Sequence, residues 1–142
     1  MCSTFQIPFS NWILWENRAK CTDLKSSGVY LIAEFNECPA IVDRLAGEIF
    51  YVGETTGRTQ LLKTRLSQFE KSAQNGNGNH SGGRKFHTVK GPAKMKSKTI
   101  YFSYALSDKD AELKAMQIKM WERICLYDFT RENGKAPCCN SV

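Results

Sequence analysis

Between residues 28 and 66 the chain sets two strand-like runs, each carrying a tyrosine, ahead of one amphipathic helix, and this order narrows the fold more than any other feature. Gly28–Phe35 (GVYLIAEF) alternates Val29, Leu31, Ala33 and Phe35 against Tyr30, Ile32 and Glu34, the two-residue period of a strand. Gly47–Gly53 (GEIFYVG) is equally β-rich, with Ile49 and Tyr51 expected on one face and Phe50 and Val52 on the other. The runs are expected to pair as an antiparallel hairpin across Asn36–Ala46, which is longer than a usual hairpin loop. Beyond a Gly/Thr-rich turn, Thr59 is a plausible N-cap. Leu62, Leu66, Phe69 and Ala73 then share one helical stripe, with Arg65 at its edge.

The remaining elements complete a small α/β (α+β) domain. In the N-terminal extension, residues 1–27, Ser10 is expected to cap a short helix that uses Trp12, Ile13, Leu14 and Trp15 for packing. Thr99–Leu106 (TIYFSYAL) is the third strand, with Ile100, Phe102 and Tyr104 alternating against Tyr101, Ser103 and Ala105. Ser107 with Asp110 marks the start of a helix from Asp108 to about Phe129, and Asn133-Gly134 is a stop before an irregular tail, residues 130–142. The expectation is one domain over residues 1–142, a three-stranded antiparallel sheet flanked by helices.

Charge is unevenly spread. Residues 63–98 hold nine Lys/Arg against one acid, Glu70, while the whole chain carries a formal net charge of +6. Most of that excess lies in or beside Asn75–Lys98, a stretch rich in Asn, Gly, Ser and Lys that reads as a basic loop. A solvated basic surface is the plain reading. The sharper one is a polyanion partner, whose counterions Lys63, Arg84, Lys85, Lys94 and Lys96 would displace. No apolar run approaches the length of a membrane span. The N-terminus lacks the basic and apolar regions of a signal peptide, so six cysteines are expected as free thiols in a reducing cytoplasm.

On the C-terminal helix, Leu113, Met116, Met120, Ile124 and Tyr127 share one face, and Ala111, Ala115, Ile118, Glu122 and Phe129 the opposite one. Glu122 is thus a carboxylate within an apolar stripe. Either it is partly exposed and paired with Lys119, or it holds a cation that offsets its desolvation.

Gly28-Val29-Tyr30, Tyr51-Val52-Gly53, Arg65, Glu122 and the closing Pro137 and Asn140 stand in an order that resembles the GIY-YIG nuclease family, over roughly Gly28 to Asn140. The resemblance implies a metal-dependent DNA endonuclease that hydrolyses phosphodiester bonds by one-metal catalysis with a tyrosine general base. Glu122 would hold one Mg²⁺ or Mn²⁺, and Arg65 would face the scissile phosphate. Tyr30 or Tyr51 would be the base, Tyr30 being favoured. A phenol ordinarily ionises near pH ~10, so nearby cations would have to lower it. Some family members bring a His or Lys from the region of His80 into the site, which makes His80 a second candidate for proton transfer, although an exposed loop histidine is the plainer reading. Asn140 would order the metal end. Gly53 would serve backbone geometry or close substrate approach. This chain departs from the family in having Val29 in the first motif and Phe69 where many relatives have His.

A lone domain of this kind would dimerise, join a larger complex, or cut with little sequence preference. DNA is the expected partner, and RNA shares the phosphate chemistry. The alternatives are a catalytically inactive nucleic-acid-binding module on the same basic face, and a zinc module built on Cys138-Cys139 with His80 or His87, which lacks any C-x-x-C pair.

Overall fold

The alternation in Gly28–Phe35 becomes a strand buried on both faces, β2 (Gly28–Glu34), because helices cover the sheet on each side. A computed structural model describes residues 5–57 and 61–141; Thr59, expected as a helix N-cap, and the first four residues, read for a leader, lie outside the described residues. The other strands are β1 (Ile13–Leu14), β3 (Ile49–Thr55) and β4 (Ile100–Leu106), and the antiparallel sheet runs β1-β4-β2-β3. It therefore has four strands rather than the expected three. The expected N-terminal helix is replaced by β1, which pairs Ile13 with Phe102, and by 3₁₀ turns at Trp15–Lys20 and Thr22–Lys25. The Ser10 hydroxyl accepts from the Tyr104 backbone N–H and so docks this segment on β4 instead of capping a helix.

A bulge at Phe50 changes the expected facing of β3. Ile32 pairs with Tyr51 and Ala33 with Ile49, so Phe50 is the extra residue. Phe50 and Tyr51 consequently join one layer with Tyr30, Ile32, Leu66, Phe69, Phe86 and Phe102, under the helices α1 (Leu62–Asn75) and α2 (Ser81–Val89). Ile49 and Val52 join Val29, Leu31, Ala33 and Ala105 under Trp121, Cys125 and Phe129 of α3 (Ala111–Asn133). Burying each large apolar side chain of these layers contributes about 1.5–3 kcal/mol. The stripe on α1 is buried as its period requires.

Asn75–Lys98 is not one loop. It contains α2 and a 3₁₀ turn, Pro92–Lys96, held down by the buried Phe86 and Met95. Part of its charge is spent internally. Lys90 and Lys94 both bond the Glu34 carboxylate, at 3.0 and 2.8 Å, and Lys85 donates to the Asn140 carbonyl at 3.0 Å. Lys63, Arg84 and Lys96 stay exposed.

Helix α3 starts three residues after Asp108 and runs through Asn133 to the left-handed Gly134 (φ 81°), so the first part of the expected tail is helical. Ser107 bonds the Lys109 N–H and Gln117 rather than the helix start proper. Of the expected stripe Ala111, Ala115, Ile118, Glu122 and Phe129, only Ile118 and Phe129 are buried and Ala111 is exposed; the buried face is completed by Trp121 and Cys125, while Leu113, Met116, Met120 and Tyr127 of the other stripe are exposed. Among the described residues no helix is long and apolar enough to cross a membrane.

Candidate active site

Tyr30 and Tyr51 come from adjacent strands, offset by the register that sets Tyr30 beside Gly53. Their ring centroids lie 5.9 Å apart. Gly53 is what lets both rings fit: a Cβ there would stand 2.5 Å from Tyr30 Cζ and 2.7 Å from Tyr51 Cε2. A close approach at Gly53 is thus made by the two tyrosine rings. Gly82, in the first turn of α2, is shaped by the same ring, since a Cβ there would collide with the Tyr51 edge.

His80 is the residue on which α2 begins, and it is fully buried, not an exposed loop histidine. Its Nδ1 accepts from the Gly83 N–H at 3.2 Å, and its Nε2 lies 2.8 Å from the Tyr30 hydroxyl. Burial, then the charges of Arg65 and Arg84, bring its pKa down to about 3, so the ring is neutral near pH 7. A neutral ring whose Nδ1 accepts must carry its proton on Nε2. His80 therefore donates to Tyr30, which leaves the Tyr30 proton free to turn toward Tyr51, where a donor favours the ionised form of Tyr51.

The two phenols differ in access. Tyr30 has no exposed surface, and burial pushes its pKa well above the ordinary value. Tyr51 is partly exposed and lines a shallow pocket of about 270 Å³ with Ser81, Glu122, Arg123 and Asn140. Burial raises Tyr51 as well, Arg65 draws it down, and Glu122 pushes it up. Arg65 also acts electrostatically on Tyr30 and His80, so its charge is felt across this cluster. Its guanidinium is held by bonds to Gln68 Oε1 (2.7 Å) and the Asn79 carbonyl (3.4 Å).

Glu122 reaches the pocket from α3 with 23% of its side chain exposed. Burial raises its pKa, and Glu54 raises it further, against Arg123 and Lys119. Among the described residues its one salt bridge is to Arg123 Nε at 3.6 Å, on a side chain that is 85% exposed; the pairing with Lys119, one of the two alternatives for this carboxylate, is not formed as a salt bridge. Glu54, at the far end of β3, is the residue that sequence reasoning missed. Its signal was available, a carboxylate directly after Tyr51-Val52-Gly53, but strand alternation alone does not say that α3 will lie over it.

Asn140 is a clamp on the sheet edge. Its amide accepts from the Val52 N–H and donates to the Val52 carbonyl, both at 2.9 Å, completing the pairing that edge strand β3 lacks. Asn140→Ala is expected to cost about 1–3 kcal/mol through the orphaned Val52 groups. Urea denaturation checks this, and an unchanged midpoint would show that the edge holds without the clamp.

The Glu122 carboxylate at the pocket suits a hard divalent cation, which binds through one or two carboxylates and keeps several waters. One oxygen of Glu54, Oε2, is buried with no hydrogen-bond partner among the described residues, a group in want of a positive charge. Zinc fits less well: among the described residues no three His, Cys, Asp or Glu side chains converge. His80 is engaged on both nitrogens, and His87 Nδ1 bonds the Ala73 carbonyl.

Comparison of the chain with family models, with curated proteins and with solved structures finds no match.

Proposed function

We propose that the chain is a Mg²⁺- or Mn²⁺-dependent endonuclease that hydrolyses DNA phosphodiester bonds through a GIY-YIG-like site. The observation that supports this function is the meeting of Tyr51 and Glu122 in one pocket, with Tyr30 and His80 hydrogen-bonded to each other behind the Tyr51 ring and the charge of Arg65 acting on both tyrosines and His80. Each of these residue types answers a need of phosphoryl transfer.

Arg65 offers a planar fork of donors to the non-bridging phosphate oxygens. Tyr51, the phenol that reaches the pocket, takes the proton of the attacking water. Tyr30 and His80 act behind it, the first donating to the Tyr51 oxygen and the second fixing the direction of that donation. The favoured base thus moves from Tyr30 to Tyr51, because a water has no path to a hydroxyl that is wholly buried. Glu122 would hold the divalent ion, which when bound supplies positive charge to the leaving oxygen. Burial holds the Tyr51 phenol above its ordinary range, so its ionisation needs the positive charge of Arg65 and of the occupied cation site. Exposed Lys63, Arg84 and Lys96 would contact flanking phosphates.

The test is nicking of supercoiled plasmid. The expected result is relaxation with Mg²⁺ or Mn²⁺ and none with EDTA. Retention of DNA on a gel without cleavage in any cation would leave a nucleic-acid-binding module in place of the enzyme. Cleavage of single-stranded RNA in the same buffers would widen the substrate class.

A further inference from the structure

Glu54 lies on β3 two residues beyond Val52, whose side chain belongs to the layer that Trp121 and Cys125 of α3 cover. Strand alternation sends Glu54 to that same face, toward the helix that carries Glu122. Its Oε2 atom is buried and has no hydrogen-bond partner among the described residues. Buried carboxylate oxygens are normally satisfied, because stripping water from a charge without replacing its partners costs several kcal/mol. Among the described residues no basic side chain forms a salt bridge with Glu54, and the one formed with Glu122 is the long contact to the exposed Arg123. The strongest charged influence on Glu122 is another acid, Glu54. Two carboxylates that repel each other, one with an orphan oxygen, are complementary to a small cation set between them.

We infer that Glu54 is a second ligand of the divalent cation, sharing it with Glu122. This rests on the nuclease function proposed above and adds to it a residue outside the motif tyrosines, the arginine and the helix glutamate. With no third His, Cys, Asp or Glu nearby among the described residues, the other positions fall to water and to phosphate oxygens. That is the ligand set of Mg²⁺ or Mn²⁺ bound beside a phosphodiester. In the metal-free protein the same pair is destabilising, so Glu54 has opposite effects on stability with and without the ion.

Mn²⁺ binding, read from the electron paramagnetic resonance signal of the free ion, tests this on the full chain with Glu54→Gln, Glu54→Asp and Glu122→Gln. Wild type is expected to bind one Mn²⁺. Glu54→Gln and Glu122→Gln should each weaken binding at least tenfold, and Glu54→Asp should recover part of the loss. Thermal melts supply a readout independent of cleavage. In EDTA, Glu54→Gln should melt at or above wild type, and Mn²⁺ should raise wild type clearly more than the variant. Wild-type affinity in Glu54→Gln, with binding lost in Glu122→Gln, would overturn the shared site and leave a one-carboxylate nuclease standing. Plasmid nicking that proceeds in EDTA, together with no Mn²⁺ bound to wild type, would remove the cation site and the metal-dependent mechanism together.

Discussion

Tyr51→Phe is expected to slow plasmid nicking by roughly 10²–10⁴-fold, the usual worth of a positioned general base, while leaving the fold intact. The Tyr51 hydroxyl stands at the pocket while its ring packs against Phe69 and His80, so removing the oxygen alone spares the layer beneath. Tyr30→Phe should behave differently. It leaves the buried Nε2–H of His80 with no acceptor, at a cost of about 1–3 kcal/mol, and it removes the donor that favours ionised Tyr51. Its rate should fall less than that of Tyr51→Phe when both are compared below their melting temperatures. Single-turnover nicking with saturating Mg²⁺ decides the order. If Tyr30→Phe is the slower enzyme at equal folded fraction, the base is Tyr30. If Tyr51→Phe cuts as fast as wild type, Tyr51 is packing only.

The second large effect concerns acid stability. In the unfolded chain the His80 imidazole titrates near its ordinary value of 6.5, and in the fold at about 3. Between those values the unfolded chain binds one proton more, so this contribution to stability is fully present above the unfolded pKa. It is lost as pH falls through that window, by up to about 1.4 kcal/mol per pH unit. His80→Gln removes the titration while keeping a polar side chain at the start of α2. At pH 7.5 wild type should be the more stable protein, since His80 then satisfies both Gly83 and Tyr30. The gap should close as pH is lowered toward 4.5. Other groups, Glu34 among them, titrate in both proteins and cancel in the difference. Urea unfolding at several pH values measures it, and a gap that stays constant would mean that the imidazole is charged in the fold or not buried at all.

Much of the scaffold was legible in the residues. The alternation of β2 and β4 held because a two-residue period has only two settings relative to a sheet, and both faces here are apolar. The stripe Leu62, Leu66, Phe69 and Ala73 held for the same reason at the helical period. β3 was misread because the bulge at Phe50 shifts the register, and the sequence has no glycine or proline there to announce it. Helix α2 was hidden by Gly82 and Gly83, which lower intrinsic helix propensity but let the helix pack against Tyr51 and α1. Tertiary packing overrode composition.

The sequence by itself determined strands β2, β3 and β4 with helices α1 and α3 in their order, the two tyrosines on neighbouring strands, and a carboxylate misplaced in an apolar stripe of the last helix. Only the tertiary structure decided which phenol faces the pocket, that His80 is buried and points its proton at Tyr30, that Asn140 closes the β3 edge, and that an oxygen of Glu54 is buried without a partner among the described residues. Periodicity is local and is written in consecutive residues. Access, hydrogen-bond direction and the burial of a carboxylate oxygen depend on atoms far apart in the chain, brought together only when both faces of the sheet are covered.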